Sequence, residues 1–322
     1  MKPKILITDR FAPDALQRLQ GDGRFDIVQG CDPFHQPAQY LADAHALMIR
    51  SRTRIDAALL ARAPQLRVIV TCTSGFDHID LAATAQRGIS VMFTPGANAA
   101  SAAQLTWALI LSCANAIPRA DAGLREGGWS RESLVGIELA ERCIGIVGLG
   151  RIGIRVARIA QAFGMQVLAC DPFIDAAVFH QHDAEAVELD ELLQRSHVIS
   201  FHVPRTAQTR AMLDRARFAQ LRPDAILVNT SRGGVFDEAD LCHALQHGQL
   251  HAAGLDVFSH EPLPPDSPLR RQPGVVLSPH IGAYTEAAFS KASNETADKL
   301  LAFFNTGEIR DRLPPEAAWY RG

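Results

Sequence analysis

Short β-branched runs separated by helix-length segments recur almost from end to end, and this rhythm limits the fold more than any other feature. The runs "KILITD" (4–9), "ALMIR" (46–50), "LRVIVT" (66–71) and "ISVMF" (89–93) read as strands. Segments 12–20, 55–61 and 81–86 between them read as helices. A longer helix fits "NAASAAQLTWALILSCANA" (98–116), with Asn98 placed to cap it. The second half repeats the rhythm with stronger strands: "CIGIVG" (143–148), "QVLACD" (166–171), "HVISFHV" (197–203), "AILVNT" (225–230), "AAGLDV" (252–257) and "VVLSP" (275–279). These runs are apolar nearly throughout, so both faces must be buried, as in parallel strands covered by helices on each side. With 322 residues, the chain has the length of about two domains. The expected class is α/β, with two doubly wound parallel sheets. "LREGGWSRESLVGIELAERC" (124–143) reads as a surface excursion before the second sheet.

Composition narrows the function classes. A net charge of −3 gives no reason to expect nucleic acid or an anionic membrane as partner. The first ten residues meet Asp9 and Arg10 too early for a signal peptide, and no apolar run approaches the ~18 residues of a membrane span. Cys31, Cys72, Cys113, Cys143, Cys170 and Cys242 form no C-x-x-C pair and no metal spacing. They read as small apolar fillers in a protein of the reducing cytoplasm that binds no metal.

"IGIVGLGRIGIRVARIAQAFGMQVLACD" carries the most specific local signal. Gly148, Gly150 and Gly153 form G-x-G-x-x-G between a strand and a helix whose Ile152, Val156, Ile159, Ala160 and Phe163 share one face. Gly148 makes the tight turn, Gly150 admits a pyrophosphate and Gly153 lets helix pack on strand. The helix N-terminus supplies partial positive charge to the phosphates. Asp171, 18 residues past Gly153, is placed to accept hydrogen bonds from an adenosine ribose diol and to repel a 2′-phosphate. The expected cofactor is therefore NAD rather than NADP.

A nicotinamide cofactor implies hydride transfer, so the protein must also move a proton, and histidine titrates nearest neutral pH. Of the 12 histidines, His280 in "SPHIGAY" follows a buried-looking strand, with Pro279 stiffening the backbone before it and Gly282 allowing close approach after it. Glu261, in "LDVFSHEP", follows another strand and is placed to orient an imidazole. Arg232, in "VNTSRGG", follows a third, with Gly233 and Gly234 expected to keep its surroundings open; a guanidinium there suits a substrate carboxylate.

Taken in order, "VGLGRIG", "DP", "FHVPRTAQT", "ILVNTSRGGVFDE", "GLDVFSHEP" and "SPHIGAYT" resemble the D-isomer-specific 2-hydroxyacid dehydrogenase family over roughly residues 45–290. That family includes phosphoglycerate dehydrogenase, glyoxylate/hydroxypyruvate reductase and D-lactate dehydrogenase. The resemblance implies Arg232, Glu261 and His280 as catalytic residues. It also implies cofactor contacts at Arg151, Ile152, Asp171, His202, Val203, Pro204, Thr209, Thr230, Ser231, Asp256 and Gly282. It implies two Rossmann-like domains: a substrate-binding one of residues 1–98, completed by a C-terminal helix over 284–322, and an NAD-binding one of residues 99–283. "IRSRT" and "TSGFDHID" resemble the substrate-facing loops, with backbone amides near Ser74 and Gly75 for a carboxylate and Arg50 for a distal anionic group. Family members pair through their nucleotide domains, so a homodimer using 98–116 and 124–143 is expected. Three departures stand out. His78 replaces a frequent Asn, Gln104 stands where an acidic residue is common, and the chain ends at Gly322, where an extra regulatory domain would begin. Two other readings share the fold, an NAD(H)-sensing corepressor-like binding protein and a formate dehydrogenase relative. Glu261 beside Pro262 favours the hydroxyacid enzyme over the latter.

Overall fold

The apolar runs form parallel strands in both halves of the chain. The computed structural model describes residues 2–30 and 38–315, so Cys31 lies outside the described residues. The chain divides into two units, Met1–Asn98 with Tyr284–Gly322, and Ala99–Ala283.

The first unit carries β1 (Lys4–Ile7), β2 (Asp26–Gln29), β3 (Ala44–Ile49), β4 (Val68–Thr71) and β5 (Ser90–Phe93), ordered β2-β1-β3-β4-β5 and parallel throughout. Successive strand residues point to opposite faces. Leu6, Leu47, Ile69 and Val91 accordingly feed one core cluster, while Ile5, Ile7, Met48 and Val70 feed the other. Helix Glu286–Thr306 closes the second face through Ala292, Ala297 and Leu300, and its Ser293 Oγ accepts the Ala12 N–H at 3.1 Å. This helix is shorter than the 284–322 expected from the sequence. Gly307 adopts the left-handed conformation (φ 75°) that ends helices, and Arg312–Leu313 then pairs antiparallel with β5.

The second unit carries β6 (Cys143–Val147), β7 (Gln166–Cys170), β8 (Glu185–Ala186), β9 (Val198–Phe201), β10 (Ile226–Asn229), β11 (Ala252–Leu255) and β12 (Val275–Leu277). All are parallel, ordered β8-β7-β6-β9-β10-β11-β12. The winding direction reverses between β6 and β9, which is where such sheets bind ligands. Register places Cys170, Val147, Phe201, Asn229, Leu255 and Leu277 side by side in one row. The next residue on each strand is Asp171, Gly148, His202, Thr230, Asp256 and Ser278. One sheet edge thus collects residues scattered over more than 130 positions of sequence.

The long helix ends at Ala114 rather than 116. Ala116 takes a positive φ of 49°, and a second helix, Ile117–Arg125, leaves at 64°. Val156 and Ala160 are buried as the spacing predicts, but Phe163 is 41% exposed. Helix Gly153–Ala162 ends one residue before it, and the ring instead lies flat on Trp107, 4.8 Å between centroids. Cys72, Cys113 and Cys242 are buried fillers, and burial pushes the Cys113 thiol up to about 12; Cys143 and Cys170 are half-buried.

Candidate active site

The glycine turn after β6 divides its work among three positions. Gly148 has φ 93°, and a Cβ there would lie 2.8 Å from the His202 carbonyl oxygen. A Cβ on Gly153 would lie 2.2 Å from the Gly148 oxygen, so helix and turn touch backbone to backbone. A Cβ on Gly150 would meet nothing within 4 Å. Asp171, past the end of β7, is tied to the same turn. Its Oδ2 accepts the Leu149 N–H at 3.0 Å and its Oδ1 the Phe173 N–H at 3.1 Å.

Across the switch point stands His202. Its Nε2 lies 2.9 Å from Ser200 Oγ, while Nδ1 is sealed from solvent and has no hydrogen-bond partner among the described residues. The residue as a whole is half-buried, and burial of the ring drives its pKa down to about 3, so it stays neutral. An open cradle at Gly150, a carboxylate beside it and an orphaned polar atom opposite fit a dinucleotide. Arg151 is exposed, and Ile152, Val203 and Pro204 are half-buried.

Several other predicted contact residues have structural work as well. Thr209 Oγ donates to the Pro204 carbonyl at 2.6 Å and accepts the Thr206 N–H at 2.8 Å, closing that turn. Thr230 Oγ meets Thr106 Oγ at 2.8 Å. Ser231 donates both its N–H and its hydroxyl to Asn229 Oδ1. Asp256 is buried, and its carboxylate accepts from Ser278 Oγ (2.6 Å), Ile281 N–H (2.8 Å) and Gly282 N–H (2.9 Å). Burial raises the Asp256 pKa, although those three hydrogen bonds oppose it.

Arg232, Glu261 and His280 stand three, six and three residues beyond the ends of the neighbouring strands β10, β11 and β12. His280 has φ 53°, an uncommon conformation for a side-chain-bearing residue, held by the Asp256 hydrogen bonds to Ile281 and Gly282 behind it. Its Nδ1 lies 2.6 Å from Glu261 Oε2, and the other Glu261 oxygen accepts the Phe258 N–H at 3.0 Å. The hydrogen bond to Glu261 raises the His280 pKa; burial and the Arg232 charge work against it, and Asp256 with it. Burial pushes Glu261 up, but the hydrogen bonds from His280 and Phe258 and the nearby positive charges bring it below its ordinary value. Asn229 Nδ2 donates to the Arg232 carbonyl at 2.8 Å, and the Arg232 guanidinium donates to the Ser231 carbonyl at 2.6 Å. The expected openness around Arg232 fails at Gly233. A Cβ there would lie 1.9 Å from the Phe258 oxygen, because the Arg232 turn is pressed against the Glu261 turn.

In the first unit, Ser74 and Gly75 are half-buried in the turn after β4. Ser74 Oγ lies 3.1 Å from the Thr94 carbonyl and 2.5 Å from Asn98 Oδ1. His78 Nε2 lies 3.1 Å from Thr71 Oγ. Arg50, at the end of β3, sits over the Phe289 ring at 5.1 Å, and Arg10 lies over the same ring at 5.8 Å. Sequence reasoning did not single out Arg10, nor Asn229, Glu238 or Ser278. An Asn two residues before a serine in a strand-end turn is a recognisable brace for backbone N–H groups, and that signal was present. Gln104 lines a surface groove with Trp107 and Arg155.

Residues 107–282 match the NAD-binding domain of the D-isomer specific 2-hydroxyacid dehydrogenases. The chain is 41% identical over 298 residues to the D-3-phosphoglycerate dehydrogenase of Mycobacterium tuberculosis, covering 92% of this chain and 56% of that protein. It therefore spans little more than half the length of that curated relative. It is 36% identical over 327 residues to the glyoxylate reductase of Aeropyrum pernix, covering 98% of this chain and 95% of that one. Among solved structures, the D-lactate dehydrogenase of Aquifex aeolicus, complexed with NAD and lactic acid, matches with a TM-score of 0.82 and 30% identity, covering 94% and 95% of the two chains.

Proposed function

This chain belongs to the D-isomer-specific 2-hydroxyacid dehydrogenase family, and we propose that it interconverts a D-2-hydroxy acid and the matching 2-keto acid with NAD. The observation that carries this reading is the His280–Glu261 pair, 2.6 Å apart, beside Arg232 on adjacent strand ends of the sheet that holds the glycine turn. NAD supplies or accepts the hydride when bound. Gly150 makes room for its pyrophosphate while Gly148 and Gly153 let turn and helix close up beside it, Arg151 and Ile152 lead the helix toward it, and Asp171 takes the ribose diol. Thr209, Thr230, Ser231, Asp256 and Gly282 shape the remaining wall, with His202, Val203 and Pro204 opposite. Because Nδ1 of His280 is engaged by Glu261, proton exchange with substrate falls to Nε2. In reduction, protonated His280 gives its proton to the carbonyl oxygen; in oxidation, the neutral ring takes the hydroxyl proton. Glu261 stabilises the imidazolium, and Arg232 binds the carboxylate and polarises the carbonyl.

For the first unit we propose substrate binding: amides near Ser74 and Gly75 for the carboxylate, and Arg50 for a distal anionic group. A phosphorylated hydroxy acid is the second reading, favoured by two guanidiniums, Arg10 and Arg50, over one ring. The exposed apolar side chains Ile117, Leu124, Trp129 (79%) and Val135 (83%) support pairing of two copies as a homodimer. NADH oxidation with hydroxypyruvate, glyoxylate, phosphohydroxypyruvate and bulkier 2-keto acids tests the activity. A high kcat/KM with one of them is expected, and no turnover with any would favour a cofactor-sensing protein.

A further inference from the structure

The Phe258–Ser259 peptide is gripped at both of its polar ends by one segment of chain. Its carbonyl lies against Gly233, where an added Cβ would stand 1.9 Å from the oxygen, 2.1 Å from the carbon and 2.7 Å from Ser259 N. Its N–H, belonging to Ser259, donates to Glu238 Oε1 at 2.6 Å. Glu238 is the first residue of helix Glu238–Gln246, which Asp237 caps by accepting the Ala239 and Asp240 N–H groups. The helix start is thus fixed, and Glu238 reaches from a rigid base across 21 residues of sequence. The next N–H back, that of Phe258, holds Glu261 Oε1, and Glu261 Oε2 holds His280 Nδ1. Every link in this series is a close backbone contact or a hydrogen bond of 3.1 Å or less.

We propose that Glu238 and Gly233 are positioning residues that fix the Phe258–Ser259 peptide, and through it the Glu261 carboxylate that orients His280. The proposal rests on the reading of His280 as the proton donor. If the peptide drifts, the Phe258 N–H no longer pins Glu261, and the bond from Glu261 to His280 loosens. That bond is the main influence raising the His280 pKa, so the pKa falls. The other charged groups acting on the pair are Arg232 and Asp256, and His260 lies on the turn itself. Reduction needs protonated His280, which is full below its pKa and lost as pH rises through it. A lower pKa therefore moves the alkaline limb of the reduction profile to lower pH.

Glu238→Ala should lower kcat for reduction by roughly tenfold at neutral pH, less than the ~100-fold that an ångström of misplacement can cost. The alkaline limb should move down, with KM for the keto acid and Kd for NADH unchanged. Glu238→Gln keeps an oxygen that accepts the Ser259 N–H, so it should restore the wild-type limb. A loss of charge alone would leave Gln as displaced as Ala. Gly233→Ala should shift the limb in the same direction and further; if it does not fold, the Glu238 pair still decides. The His280 titration followed by NMR reads the same displacement directly, and in a Glu261→Ala background, where no side chain links the turn to His280, Glu238→Ala should add nothing. A Glu238→Ala protein whose His280 titration and limb stay in place overturns the proposal, as does a Gln variant displaced as far as Ala. If the titration moves as expected but His280→Ala retains turnover, the positioning stands and the proton-donor reading fails instead.

Discussion

The turn after β6 and the turn after β10 both follow strands whose last four residues are buried and both rely on glycine, yet they use it for opposite ends. At Gly150 the space beside Cα holds no protein atom within 4 Å; at Gly233 the same direction runs into the Phe258 carbonyl at 1.9 Å. The first glycine leaves room for something outside the protein, and the second lets the Arg232 and Glu261 turns pack together. From sequence they look alike. G-x-G-x-x-G is informative because its spacing ties each glycine to a separate demand of strand, turn and helix, whereas "RGG" carries no such spacing.

The contrast predicts two separable classes of defect, and the largest lies on the β10–β12 side. His280→Ala should lower kcat for keto-acid reduction by roughly 10²–10⁴-fold, the range for losing a general acid, with NADH affinity within a modest factor of wild type. Steady-state kinetics together with NADH fluorescence titration measure both, and a near-normal kcat would dissolve the proposed site. On the β6 side, Gly150→Val should weaken NADH binding by about tenfold or more and leave the melting temperature nearly unchanged, since its side chain enters open space. Gly153→Ala should do the reverse. Its Cβ collides with the Gly148 carbonyl, and overpacking of that kind costs about 1–3 kcal/mol, which thermal unfolding will register before cofactor binding does.

The strands buried on both faces were the legible part of the fold. β6, β9, β10 and β11 read as apolar runs because no residue in them needs water. β2, β8 and Arg312–Leu313 did not, since they lie at sheet edges where exposed Asp26, Glu185 and Arg312 resemble loop residues, and the last two are only two residues long. The end of the last helix was readable in principle, as Gly307 is the usual stop, but the resemblance to a longer helix overrode it. In the candidate site, strand ends located Arg232, Glu261 and His280, because parallel sheets bring such ends together whatever the sequence distance. What holds those residues was not legible. The grip of Glu238 on the Ser259 N–H and of Asp256 on the Ile281 and Gly282 N–H groups are side-chain-to-backbone bonds across 20 or more residues, which leave no local pattern.

A smaller effect concerns the choice between cofactors. Asp171 is fixed to the glycine turn by the Leu149 N–H, so its carboxylate cannot swing aside to accept a 2′-phosphate. NADH should outperform NADPH in kcat/KM, and Asp171→Ala should narrow that gap without altering the pH profile. A wild-type preference for NADPH would remove the β6 turn from the argument.

The smallest change expected is Glu261→Gln, which alters a proton's affinity and little else. Gln has one acceptor oxygen where Glu261 has two, so it can accept from His280 Nδ1 or from the Phe258 N–H but not from both; its volume is the same, so folding and NADH binding should persist. What is lost is the negative charge that, with the hydrogen bond, keeps the His280 pKa above its ordinary value. On the proposed acid–base role, the active form in reduction is protonated His280, present in full below its pKa; lowering that pKa moves the alkaline limb to lower pH. In oxidation the active form is the neutral ring, so the acidic limb moves to lower pH as well, and the two directions must shift together. Opposite shifts, or a shift in one direction only, would mean that the limb reports some group other than His280. Because the charge of Arg232 opposes protonation of the same ring, Arg232→Ala should displace the limbs the other way while raising KM for the keto acid. That pair of variants separates a charge effect on His280 from a disturbance of the turn that Gly233 holds in place.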